Sequence, residues 1–280
     1  MRAGLVSICT PTFNRRPFIP MLISCVESQD YPHIEWIIID DGTDKIEDLV
    51  AHLPYVKYYK YSKRMPLGKK RNMMHKKSRG KIIVYMDDDD FYPPSRVSHA
   101  VERLTSSPDA LCAGSSEMYI YYKNIKKMYQ FGPYGDNHAT AATFAFRREL
   151  LEITRYDETA LVGEEKYFLK DYTIPFVQLD PLKTILVFSH IHNSCSKEKL
   201  IEAPSPKIKL SNKCLADFNV PEDVEDFFIN RIDECLTAYP EGSPVSKPEV
   251  MEEMAKRMQK MDDINRYNKL TRRVPDDTAV

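Results

Sequence analysis

Short β-branched runs alternate with amphipathic segments along the first part of the chain. "LVSIC" (5–9), "EWIIID" (35–40), "VKYYKY" (56–61) and "KIIVYM" (81–86) carry the near-continuous apolar pattern of buried strands. Between them, "FIPMLISCVESQ", "KIEDLVAHL" and "LGKKRNMMHKKS" place apolar residues at helical spacing, and the prolines of "PPSR" suit the first turn of a fourth helix. Four strand–helix units in about 105 residues predict an α/β half with a mostly parallel sheet, over residues 1–108, of the kind that binds nucleotides.

The texture changes after residue 109. "ALCAGSSEMYIYYKNIKKMYQF" is tyrosine-rich and alternating, which predicts antiparallel strands or a mixed extension of the sheet. "TAATFAFRRELLEI" reads as a strand turning into a helix, "GEEKYFLKDY" (163–172) as a helix and "TILVFSHIH" (184–192) as a late strand. From about 205 the chain is rich in Lys, Glu and Pro, with helical segments "PEDVEDFFINRIDECL" and "PEVMEEMAKRMQKMDDINRYNKL". The expected organisation is one domain over 1–200, with halves 1–108 and 109–200, and a helical extension over 201–280. The apolar stripes of that extension suit packing on the domain or on a second copy.

Charge narrows the function classes. The 280 residues carry 40 Lys and Arg against 41 Asp and Glu, a net −1, so the chain as a whole is no bait for nucleic acid. Locally the balance is uneven: every charged residue from Lys57 to Lys81 is basic, and an acidic cluster follows at once. Lys69, Lys70, Lys76 and Lys77 read as the solvated face of a helix. Six cysteines without CxxC spacing argue against a zinc site or a disulfide framework. No apolar run approaches the roughly 20 residues needed to span a bilayer, and the N-terminus lacks a signal-peptide layout, so a cytoplasmic protein is expected.

The acidic cluster is "KIIVYMDDDDFYPPSR" (81–96), where a buried strand runs into four aspartates. Such crowding requires a positive partner. In an extended chain Asp87 and Asp89 point one way and Asp88 the other, a D-x-D pair whose carboxylates suit Mg2+ or Mn2+. "YMDD" is also the signature of the reverse-transcriptase palm. That site lies in a hairpin and needs a further carboxylate on a neighbouring strand, whereas helical patterns flank this one, and the polymerase reading leaves "TPTFNR" (10–15) without a role.

"VSICTPTFNRRPFIPMLISCVESQDYPHIEWIIIDDGTD", then "LGKKRN" and "GKIIVYMDDDDFYPPSRV", resembles the family 2 glycosyltransferases, nucleotide-sugar-dependent enzymes of GT-A fold. The resemblance implies that Thr10, Pro11 and Thr12, with Asn14 and Arg15, wrap the nucleotide in the loop after the first strand. Asp40 would read the base, and Asp41 and Gly42 would complete the turn. Gly68, Arg71 and Asn72 would lie near the nucleotide, as would Asp87 and Asp88, while Asp87, Asp89 and His190 would hold Mn2+ or Mg2+. His192 is the alternative to His190. "FRRELLEITRYDETALVGEEKYFLKDY" resembles the acceptor-side segment, with Glu165 as general base and Glu164 in reserve. It departs from the family pattern in having Glu for Asp and in lacking a glycine pair in "ITRYDE".

The resemblance thus implies an inverting transfer from a nucleotide-diphosphate sugar, UDP first and GDP or dTDP open, to a hydroxyl of a glycan or other acceptor. Two other classes stay open: a non-catalytic nucleotide- or glycan-binding scaffold, and a sugar nucleotidyltransferase, although "TPTFNRR" lacks the latter's glycines.

Overall fold

A computed structural model describes residues 4–159, 164–190, 192–193, 197–202 and 205–239, together with residues 252, 255, 256, 259 and 263. The strands are β1 (Val6–Thr12), β2 (Ile34–Asp40), β3 (Val56–Lys60), β4 (Ile82–Tyr85), β5 (Asp90–Phe91), β6 (Cys112–Gly114), β7 (Met118–Tyr122), β8 (Lys127–Phe131), β9 (Ala145–Arg147), β10 (Phe176–Gln178), β11 (Leu186–Ser189) and β12 (Ile208–Leu210). The helices are α1 (Ile19–Glu27), α2 (Glu47–Val50), α3 (Leu67–Lys77), α4 (Arg96–Ser106), α5 (Glu164–Phe168), α6 (Glu198–Glu202), α7 (Glu222–Asp226) and α8 (Ile232–Leu236).

Trp36, Ile37, Ile38 and Ile39 on β2 are all fully buried, as the continuous apolar run requires of a strand covered on both faces. The main sheet has seven strands in the order β10-β6-β9-β4-β1-β2-β3, and a second has five, β12-β8-β7-β11-β5. β1 is parallel to both β2 and β4. The chain therefore leaves β1 in one direction toward β2 and β3 and returns on the other side as β4. That reversal is the switch point where open α/β sheets bind ligands, at the C-terminal strand ends. β9 runs antiparallel to β4 and β6, which makes the sheet mixed.

Several elements differ from the expected ones. β1 continues past Cys9 to Thr12, so Thr10 and Pro11 are strand residues and the loop begins at Phe13. The β1–β4 ladder ends at Cys9 opposite Tyr85, so Pro11 lies beyond it. β7 and β8 form the expected antiparallel pair. After β9 comes a 3-10 turn, Arg148–Glu152, in place of an α-helix. α5 stops early because Lys170, Asp171 and Tyr172 all take positive φ (47, 56 and 62°).

The described part of the 201–280 extension belongs to the domain itself. β12 pairs with β8, and α7, a π-helical turn (Phe227–Arg231) and α8 bury Val224, Phe227, Phe228, Ile232 and Leu236 in the same core as β1 and β2. Its apolar stripe is spent on its own domain, and most of the second helical segment lies outside the described residues. Phe228 stacks on Phe188 at 4.3 Å, with Phe18 and Phe227 around it. Cys9, Cys25 and Cys112 are buried free thiols, that of Cys25 pushed up to about 12 by burial, which suits inert, reduced side chains. Cys214 and Cys235 are free and exposed, and Cys195 lies outside the described residues. Among the described residues no helix is long and apolar enough to cross a membrane.

Candidate active site

Three strand ends meet at the switch point. Thr10 Oγ1 accepts the Trp36 indole N–H (2.8 Å) and donates to the Met86 carbonyl (2.7 Å), tying β2, β1 and the end of β4 together. This residue fixes the floor of the site. Asn14, at φ 54°, accepts through Oδ1 from the Thr43 and Asp44 amides at 2.7 and 3.0 Å. Gly42 passes so close that a Cβ there would stand 2.5 Å from the Asn14 nitrogen, so only glycine fits.

Asp40 is fully buried, and its carboxylate accepts from the Gly42 amide (2.9 Å), the Ile46 amide (3.2 Å) and the Tyr58 hydroxyl (2.5 Å). Those bonds make Asp40 the anchor of the turn. Asp41 accepts from the Met65 amide (2.6 Å) and from Lys70 Nζ (2.8 Å). Lys70 is 7% exposed, not part of a solvated helix face. The signal was present in the helical phase, which puts positions 67, 70, 71 and 74 on one stripe.

Gly68 and Asn72 serve a neighbouring loop. A Cβ on Gly68 would lie 2.3 Å from the Asp157 carbonyl oxygen. Asn72 exchanges hydrogen bonds with the Tyr156 backbone and donates to Glu158. Arg71, between them, is buried with its guanidinium over the rings of Tyr85 (4.9 Å) and Tyr156 (5.2 Å) and 3.8 Å from Asp87.

The aspartates do not alternate as an extended strand would make them, because β4 ends at Tyr85 and the chain turns at 88–89 into β5. Asp87 faces Arg71, whereas Asp88 and Asp89 both face Arg15, at 3.8 and 3.4 Å. Asp89 also lies 3.5 Å from His190 Nε2. Burial pushes Asp88 up to about 7 even beside Arg15. Burial also drives Asp90 well above the carboxylate range, reinforced by Asp89 and Asp87. For Asp89 burial acts the same way, but Arg15 and His190 more than offset it and hold the group low.

The Glycosyl transferase family 2 profile matches residues 7–155, more than half of the chain. The chain belongs to this family. A GalNAc(5)-diNAcBac-PP-undecaprenol beta-1,3-glucosyltransferase of Campylobacter jejuni is 32% identical over 92 residues, 30% of this chain and 29% of that protein. TarS of S. aureus in complex with UDP-GlcNAc aligns with a TM-score of 0.51 at 18% identity, over 66% of this chain and 58% of that one. The mannosyltransferase PcManGT of Pyrobaculum calidifontis, in complex with GDP-Man and Mn2+, aligns with a TM-score of 0.54 at 16% identity, over 80% and 69%. The structural likeness shows the GT-A fold. The chain spans between 29% and 41% of the length of the first curated relatives it matches.

Two further parts of this family 2 member bear on chemistry. The oxygens of Asp87, Asp88 and Asp89 are the right donors for a hard divalent cation. Among the described residues, however, no three carboxylate, imidazole or thiolate side chains stand together as a metal-holding group. Of the expected set, Asp89 lies 3.5 Å from His190 Nε2. Asp87 is turned to Arg71, and both His190 ring nitrogens face protein amides, Nδ1 that of His192 (3.2 Å) and Nε2 that of Asn193 (2.9 Å). His192 contributes its carbonyl, which accepts from Arg15 at 2.8 Å.

Glu165 is half-buried on α5, and the Glu164 side chain lies outside the described residues. Burial and then the Glu165 charge raise the hydroxyl pKa of Tyr172. α5 connects to the acidic cluster through Phe168, stacked on Tyr156 at 4.3 Å, and then through Arg71 to Asp87.

The sequence reading missed Arg96. Fully buried on α4, it donates through Nη2 to the carbonyls of Tyr85, Thr143 and Phe144. A basic residue right after "PPS" at a helix start carries no sequence mark that it turns inward.

Proposed function

We propose that this chain transfers a sugar from a nucleotide-diphosphate donor, UDP-linked in the first instance, to a hydroxyl of a glycan or other acceptor, with inversion at the anomeric carbon. The observation that carries this reading is the under-compensated aspartate cluster at the switch point, faced by Arg15 and Arg71. A nucleotide seated across the ends of β1 and β2 directs its diphosphate toward that cluster. The turn built from Asn14, Asp40, Asp41 and Gly42 shapes the base end of the crevice, and Arg15 and Arg71 supply guanidinium donors to phosphate oxygens. A divalent cation, Mn2+ or Mg2+, held by Asp87 and Asp89 supplies further positive charge to the leaving diphosphate when bound.

Glu165 takes the proton of the acceptor hydroxyl. The acceptor oxygen then bonds to the anomeric carbon as the carbon–phosphate-oxygen bond breaks, and the electron pair leaves with the nucleoside diphosphate. Attack opposite the leaving group inverts the centre.

The test is a thermal-shift and hydrolysis panel of UDP-, GDP- and dTDP-sugars with Mn2+, Mg2+ or EDTA. UDP is expected to raise the melting temperature when a divalent cation is present and not in EDTA. Absence of protection and of turnover with every nucleotide sugar overturns the proposal.

A further inference from the structure

Arg15 occupies an unusual position for a residue expected to bind nucleotide. Its guanidinium lies against Asp88 and Asp89 and donates to the His192 carbonyl, so it bridges the loop after β1, the turn after β4 and the segment after β11. The two ion-pair distances, 3.8 and 3.4 Å, exceed those of a tight charge-assisted hydrogen bond, about 2.7–2.9 Å. This is charge neutralisation in a partly closed space rather than a locked salt bridge. The backbone below it is fixed, because Asn14 is pinned to Thr43 and Asp44, whereas the side chain rests on the Phe18 ring, 5.4 Å from its centroid. Movement of Arg15 therefore needs only side-chain rotation.

We propose that Arg15 is a built-in competitor of the divalent cation at Asp89, neutralising it together with Asp88 before the nucleotide binds and passing to the diphosphate when donor and cation enter together. Asp89 is the carboxylate the two share, and a dication and a guanidinium repel one another there, so the two cannot both hold it at full strength. An incoming diphosphate resolves the conflict, since its oxygens match the planar donors of Arg15 at least as well as the aspartates do. Cation and nucleotide binding are then mutually reinforcing. The identity of the incoming anion rests on the glycosyl-transfer reading; the competition at the aspartates does not.

The experiment is a Mn2+ titration of the full chain without nucleotide, followed by the electron paramagnetic resonance of free Mn2+. Arg15→Gln is expected to bind Mn2+ tighter by on the order of tenfold, since it removes a charge that competes for partly buried carboxylates. Arg15→Lys, which keeps the charge, is expected to stay near the parent. With Mn2+ present, UDP binding is expected to weaken in Arg15→Gln by on the order of tenfold through the lost phosphate contact. If the Gln variant misfolds, Arg15→Met, which keeps the stem on Phe18, takes its place. Mn2+ affinity equal to or below that of the parent overturns the inference. Failure of the glycosyl-transfer reading shows separately, as absence of turnover by the parent chain, and leaves the nucleotide-free titration standing.

Discussion

Glu35, at one end of the central strands, and Asp88 and Asp90, at the other, show two ways of burying a carboxylate. At the N-terminal edge, Glu35 at the start of β2 is buried and accepts from the Ser7 hydroxyl (2.7 Å), the Arg79 and Gly80 amides and Lys57. Burial pushes its pKa up, but the bonds from Lys57 and Ser7 outweigh it and bring the group down to about 2. At the C-terminal edge, burial prevails at Asp88 despite Arg15, and at Asp90 with Asp89 and Asp87 adding to it, while Arg15 and His190 hold Asp89 low. The donors that match Glu35 belong to the fold and are permanent. At Asp88 and Asp90 the balance is incomplete, and the proposed cation and diphosphate would complete it. Electrostatic mismatch, rather than burial, separates the working edge from the structural one.

The sharpest way to break this contrast is Asp89→Ala. It is expected to lower turnover by about 10³-fold while leaving the melting temperature unchanged or higher, because it relieves repulsion among crowded carboxylates. A large loss of stability with turnover per folded molecule intact would reverse the assignment of the two edges. Next comes Glu165→Gln, expected to cut kcat by about 10²- to 10⁴-fold with UDP affinity near that of the parent. Glu164→Gln measured with the same acceptor decides between the neighbours: a severe loss there alone moves the base by one position.

Glu35 should show the opposite pattern. Glu35→Ala is expected to cost about 2–4 kcal/mol in urea unfolding, as it strands the Lys57 charge and the buried donors, with kcat per folded molecule unchanged. The pH dependence has a fixed sign. A carboxylate whose pKa falls from 4.5 to about 2 on folding stabilises above 4.5, and that contribution fades as the pH drops toward 2. Melting curves across this window should fall more steeply for the parent than for Glu35→Gln. The smallest expected effect is that of Tyr58→Phe, about 1 kcal/mol from the lost bond to Asp40. If UDP affinity drops strongly with it, Asp40 contributes to base reading as well as to the turn.

The sheet was legible because β1, β2 and β4 are apolar on both faces, a pattern that a covered parallel strand shares with few alternatives. The acidic cluster was legible as a site, though its internal geometry was not. Alternation of Asp87, Asp88 and Asp89 assumes extended backbone, and the turn at 88–89 redirects the side chains. Thr10, Asp40 and Asn72 carry the expected residue types yet bond inward, because the same hydroxyl, carboxylate and amide groups serve turns and ligands equally well. Lys70 was obscured by a run of neighbouring charges. His190 falls beside Asp89, where the resemblance implied it, but Asn193 and the His192 amide decide what its nitrogens face.

Tyr239 donates to Asp44 at 2.6 Å, across 195 positions of chain, and Asp44 also pairs with Arg16 in the loop that carries Arg15. For a polypeptide emerging from the ribosome this sets an order of events. The early strand–helix units appear first, but the loop that faces the aspartates gains the support of Tyr239 only after that residue has left the exit tunnel. Until then Phe18 and Phe188 lack the cover of Phe227 and Phe228. Between the emergence of Phe188 and that of Phe227 and Phe228 the nascent chain thus carries an exposed aromatic patch, an interval in which a chaperone that shields aromatic surface would raise the yield of folded chain.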